Sequence, residues 1–94
     1  ITVDSARLEE YNAYLKEEIE ASMRLEPGVL VLYAVAEKER PYHVTILEIY
    51  VDEAAYKSHI ATPHFQKYKK ETLDMVQSLE LVDTTPLIPG LKIK

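Results

Sequence analysis

Two stretches of this chain, "VLVLYAVAE" at 29–37 and "YHVTILEIYV" at 42–51, are β-prone and apolar at nearly every position. A strand that alternates polar and apolar residues buries one face, whereas one that is apolar throughout has both faces to cover. "KERP" at 38–41 is a turn between them, so the pair reads as a hairpin. A chain of 94 residues builds one modest core and is short of material for a second covering layer. The simplest cover is a second copy of the same sheet, packed face to face in a homodimer.

The segments around the hairpin supply the first layer. "ITV" at 1–3 reads as the end of a strand, and its shortness suggests that residues precede it in the natural protein. Asp4 or Ser5 can cap a helix over 5–24, with Leu8, Tyr11, Leu15, Ile19 and Met23 on its apolar stripe. Glu9, Glu10, Lys16, Glu17 and Glu20 fall on the other face, and "EPG" at 26–28 ends the helix. After the hairpin, Asp52 caps a short helix over 52–61. Thr62 then caps another, with Pro63 in its first turn, where a missing N–H costs nothing. That helix is expected to run to about Ser78, with Phe65, Tyr68, Thr72, Met75, Val76 and Leu79 inward. "LELVD" at 79–83 is expected as the last strand.

The order β-α-β-β-α-α-β describes an α+β, ferredoxin-like split βαβ unit with an antiparallel sheet. One domain is expected over 1–94. Residues 85–94 form a C-terminal arm whose prolines forbid helix and whose "LKIK" alternates like an edge strand, so the arm is expected to pack on the partner subunit.

Composition narrows the chemistry. The net charge is −5 with no cluster of Lys and Arg, which argues against nucleic acid as a partner. No long apolar run or signal-peptide pattern is present, so the default is a soluble cytoplasmic protein without membrane partners. The absence of cysteine excludes disulfides, thiolate catalysis and cysteine-bound metal. With two glycines there is no phosphate-cradling loop, and neither a G-x-S-x-G elbow nor H-E-x-x-H occurs. No cofactor has a visible seat.

The chemistry-bearing stretch is "HIATPHFQKY", 59–68. His59 shares a stripe with Ala55, Tyr56 and Ile60 and faces inward. It reads as a base or donor in an enclosed cavity or, on spacing alone the better reading, as a core histidine bonded to a backbone carbonyl. His64 opens the next helix. The Thr-Pro break lies between the two, so helical spacing does not set them side by side, and a metal site lacks a third ligand. Phe65 and Tyr68 lie on the buried face of their helix. Tyr33 and Tyr50, on the middle strands, can offer hydroxyls to the same space. Glu48, the charged residue inside the second apolar run, either pairs with a cation or lines the pocket.

"LEEYNAYLKEEIEAS…EPG" followed by "LEIYVDEAAYKSHIATPHFQKY" resembles the antibiotic-biosynthesis monooxygenase domain family, from Ser5 to about Leu81. The matching positions are Glu26, Pro27, Gly28, Glu48, Tyr50, His59, Thr62, Pro63, His64 and Phe65. The resemblance implies a dimeric α/β barrel and a cofactor-free monooxygenase that oxidises a small quinol, anthrone or related phenol with molecular oxygen. His59 would then be the base and His64 a second acid or base, with Tyr33, Glu48, Tyr50, Phe65 and Tyr68 binding the substrate. Relatives that isomerise or degrade a phosphorylated signalling sugar supply the alternative, as does a non-catalytic small-molecule-binding dimer. The haem-opening branch carries tryptophan where His59 stands and a haem-ligating histidine near Tyr68, so haem is disfavoured.

Overall fold

The computed structural model describes residues 1–92. Its elements are β1 (Thr2–Val3), a single 3-10 turn at Ser5–Arg7, α1 (Leu8–Leu25), β2 (Val29–Ala36), β3 (Val44–Tyr50), α2 (Glu53–Ile60), α3 (Pro63–Thr72) and β4 (Val76–Ser78). β1 pairs antiparallel with β4, and β2 with β3. The two pairs are joined where Thr2 meets His43, through the bonds Val3 N–H to Tyr42 O (2.9 Å) and Val44 N–H to Ile1 O (2.8 Å). The resulting order, β4-β1-β3-β2, is that of a ferredoxin-like sheet, with the helices on one face.

Local chemistry sets the element ends. Asp4 accepts a hydrogen bond from Ala6 N–H and opens the 3-10 turn. Asp52 Oδ1 accepts from Ala55 N–H at 2.7 Å, and Thr62 Oγ1 from Phe65 N–H at 3.2 Å, so each short helix has its own cap. Pro63 occupies the start of α3. Gly28 is needed for space rather than for an unusual dihedral. A Cβ built there would lie 2.7 Å from the Cβ of Ala55, so the start of α2 rests directly on the chain after α1.

Two expected boundaries are corrected. α3 stops at Thr72, whose hydroxyl donates to Tyr68 O at 2.7 Å, and Met75 is buried in the turn that follows. The last strand is therefore β4 at Val76–Ser78, and the described part of 79–92 holds neither helix nor strand. The alternating end of the arm includes Ile93 and Lys94, which lie outside the described residues.

The core joins Val3, Tyr11, Leu15, Val44, Tyr68 and Met75. On the hairpin, Leu32 is buried toward the helices. Tyr33 (66 % exposed), its cross-strand neighbour Leu47 (52 % exposed) and Val35 stand on the open face. Leu79, Leu81, Val82, Leu87, Ile88 and Leu91 of the C-terminal segment are exposed as well. Among the described residues, no helix is long and apolar enough to cross a membrane.

Candidate functional site

α1 presents Tyr11, Leu15, Glu18 and Ser22 to the interior, a stripe at helical spacing that ends in two polar residues. A carboxylate this deeply buried requires partners. Ser22 Oγ donates to Glu18 Oε1 at 2.6 Å, and His59 Nε2 lies 3.4 Å from the same oxygen. His59, on α2, is 2 % exposed. Its other nitrogen, Nδ1, is 2.9 Å from Glu26 Oε2. His64, at the start of α3, places Nε2 2.6 Å from that same Glu26 oxygen.

The direction of these bonds follows from Glu26. Burial pushes its carboxyl group up, but the hydrogen bonds from His64 and His59, with their charge, outweigh burial and hold it below the usual range. The ionised carboxylate has no proton to give, so His59 Nδ1–H and His64 Nε2–H both donate. With Nδ1 occupied by its proton, Nε2 is the atom of His59 left to exchange one, on the Glu18 side.

The Thr62–Pro63 break folds the two histidines together, with ring centroids 6.3 Å apart, although sequence spacing set them apart. Glu18, His59 and His64 each offer a ligating atom within 4.8 Å of the others, so the third ligand that the sequence lacked comes from α1. His59 hydrogen-bonds to the Glu26 carboxylate, with Glu18 3.4 Å from its other nitrogen, rather than to a backbone carbonyl.

A cavity of about 330 Å³ lies against this assembly. Its wall includes Glu18, Glu48, Tyr56, His59, Phe65 and Tyr68, closed by apolar residues such as Leu15, Leu32 and Ile46. Glu48 therefore does line the cavity, and its partner is neither arginine nor lysine but the Tyr50 hydroxyl, which donates to it at 2.5 Å. The Tyr50 ring packs 5.5 Å from that of His59, behind the wall. Burial, and then the adjacent Glu48 carboxylate, raise the Tyr50 phenol far above its ordinary range. Burial, and then Tyr11, do the same for Tyr68, so both phenols keep their protons at neutral pH. The Tyr68 hydroxyl meets that of Tyr11 at 2.6 Å. One proton lies between those two oxygens, and the other is free to be donated.

Besides Tyr50, behind the wall, two more expected site residues do not line the cavity. Tyr33 projects from the open face of the hairpin, because it alternates with Leu32 and Leu32 points inward. His64 stands not in the cavity but at an open groove between α1 and α3, which it lines with Glu26, Arg24 and Pro63. Glu26 thus links a residue of the cavity to a residue of the groove. Glu18 and Ser22 were missed. Their signal was the continuation of the Tyr11–Leu15 stripe by three and then four residues, onto polar side chains.

Comparison with known proteins places the chain in a family. The family model "Antibiotic biosynthesis monooxygenase" matches residues 1–71. A solved structure from Bacteroides thetaiotaomicron VPI-5482, assigned to antibiotic biosynthesis monooxygenases, is 85% identical. It aligns over 100% of this chain and 90% of its own, with a TM-score of 0.98. A monooxygenase-assigned structure from Lactobacillus acidophilus NCFM is 33% identical over 81% of this chain and 36% of its own, with a TM-score of 0.79. One from Caulobacter crescentus CB15, at 21% identity, shares the fold with a TM-score of 0.81 over 92% of this chain and 84% of its own. No curated protein matches the chain.

Proposed function

The chain belongs to the antibiotic biosynthesis monooxygenase family, and we propose that it oxidises a small quinol, anthrone or related phenol with molecular oxygen, without a bound organic cofactor. The observation that carries this reading is the oriented His59: Nδ1–H is tied to an ionised Glu26, and Nε2 is left on the side of a small cavity. About 330 Å³ is near the lower end of ligand-pocket sizes, which suits a compact aromatic substrate.

Ground-state oxygen is a triplet and reacts slowly with closed-shell molecules. Proton loss from the substrate to His59 Nε2 creates an electron-rich anion that can pass one electron to oxygen. The radical pair recombines, a C–O bond forms, and the peroxide loses water as its O–O bond breaks. One oxygen atom enters the product and the other leaves as water. All the electrons come from the substrate, so no external reductant is needed. Tyr68 keeps its proton and can donate toward the developing oxyanion, while the apolar wall around Phe65 excludes water.

Two carboxylates on the cavity wall, Glu18 and Glu48, against one lysine, Lys69, would repel a phosphate group, so a phosphorylated sugar is the weaker substrate class. The open apolar face of the hairpin supports the dimeric α/β barrel, with the 85–94 arm packed on the partner and residues 1–94 acting as one domain.

The test is oxygen uptake by chelator-treated protein with reduced naphthoquinones and anthrones, with product analysis. Uptake above buffer, lost by roughly 100-fold or more in a folded His59→Asn variant, is the expected result for a general base. Saturable binding without turnover would instead identify a binding protein and overturn the oxygenase reading.

A further inference from the structure

We propose that Glu18, His59 and His64 form a binding site for one divalent first-row transition-metal ion, such as Zn²⁺. The donors come from three helices, and their side chains are only 6 %, 2 % and 15 % exposed. Convergent groups at this depth differ from the surface pair His43–Glu37, whose side chains are 33 % and 50 % exposed.

The spacing fits an ion. The donor atoms lie within 4.8 Å of one another. His59 Nε2 and Glu18 Oε1 are 3.4 Å apart. An ion with tetrahedral bonds of about 2.1 Å separates its ligands by roughly 3.4 Å. His64 is the one ligand that must turn, since its Nε2 now bonds to Glu26. It is also the most exposed, and the groove it lines is the entry path.

The supports are in place too. Glu26 accepts from His59 Nδ1–H, the carboxylate–histidine arrangement that fixes a ligating ring and frees the opposite nitrogen. Ser22 holds the Glu18 carboxylate. Two carboxylates beside two imidazoles give the site the negative charge and nitrogen donors that a divalent ion needs. Mixed imidazole and carboxylate donors favour zinc and its neighbours over magnesium or calcium, which prefer oxygen alone. An ion on Nε2 would occupy the lone pair that the proposed base uses, so metal would inhibit turnover; the site itself does not depend on that reading.

Tag-free, chelator-stripped protein is titrated at neutral pH with Zn²⁺ by calorimetry and with Co²⁺ by visible absorption. One ion per chain is expected, with Co²⁺ bands of four-coordinate intensity. Glu18→Gln and His64→Ala should weaken or abolish binding, and Glu26→Gln should weaken it by about 10–100-fold, the usual effect of removing a ligand's supporting carboxylate. His43→Ala should leave it unchanged. Circular dichroism checks each variant, and His64→Ala, the least buried ligand, decides the matter where Glu18→Gln fails to fold. No saturable binding to the wild type, or binding undiminished in a folded His64→Ala variant, would overturn the site.

Discussion

Removing one hydroxyl of the Tyr11–Tyr68 pair leaves the other without its partner in a dry environment. Tyr11 is fully buried, Tyr68 nearly so, and their oxygens are 2.6 Å apart. A buried polar group stripped of its partner costs about 1–3 kcal/mol, whereas removing both partners from sites of unchanged shape is close to neutral. Tyr11→Phe and Tyr68→Phe should therefore each destabilise the fold by about 1–3 kcal/mol, and the double variant by less than their sum. For a domain of this size each kcal/mol is worth roughly 4–8 °C in Tm. Urea unfolding of all four proteins, followed by circular dichroism at one fixed protein concentration, measures the cycle; the fixed concentration matters because association also contributes to apparent stability. A double variant that loses the full sum, within about 0.5 kcal/mol, would show that the hydroxyls act independently and would refute the reasoning. The same variants probe the site. Tyr68 lines the cavity and Tyr11 does not, so turnover should fall further in Tyr68→Phe than in Tyr11→Phe.

Gly28→Ala forces a Cβ to within 2.7 Å of Ala55 and should cost about 1–3 kcal/mol, read from the urea midpoint. The carboxyl group of Glu26 is held below its ordinary value of 4.5, so its ionised form stabilises the fold above that pH, and the contribution is lost as pH falls through the folded value. Metal-free wild type should thus lose stability in that acid window, and a folded Glu26→Gln variant should show a flatter profile in the same melting experiment. Leu47→Glu, on the open hairpin face, should shift the protein from dimer to monomer in analytical ultracentrifugation, whereas a monomeric wild type would refute the face-to-face sheet. Deleting residues 86–94, which begin the prolines and exposed Leu87, Ile88 and Leu91, should weaken that dimer; unchanged affinity would count against an arm that crosses to the partner.

Most of the fold could be read because local signals and patterning agree. Asp52 and Thr62 cap helices that the structure caps with those side chains, the apolar runs pair as a hairpin, and "EPG" follows the last residue of α1. The failure at β4 has a long-range cause. "TLDMVQSLELV" carries apolar residues compatible with a helix up to Ser78, but α3 ends at Thr72. Met75 is buried in a turn instead of on a helix, and the short pairing of β1 with Val76–Ser78 claims the strand three residues earlier than expected. Long-range pairing decided the matter, and no short window contains it.

The site was less legible because its organising residues sit where patterning expects solvent or core. His59 was legible as inward, since its stripe is apolar. Glu18 was not, because a glutamate on a helix rich in glutamates reads as surface, and the expected stripe continued from Leu15 to Ile19 and Met23. Leu8 and Ile19 do pack against the core, but the buried line runs Tyr11–Leu15–Glu18–Ser22 and leaves Met23 45 % exposed. Glu18 meets partners there: Ser22 one turn on, and His59 from α2, which the adjoining Glu26 fixes. Burying an apolar Met23 in place of Glu18 would gain hydrophobic contact and strip His59 Nε2 of its carboxylate neighbour. A buried histidine between two carboxylates is a costly feature for a small core, and where only stability mattered an apolar cluster would serve as well. The burial of Glu18 while Met23 stays exposed is therefore the structural mark of the site, and the reason that Glu18 belongs beside His59.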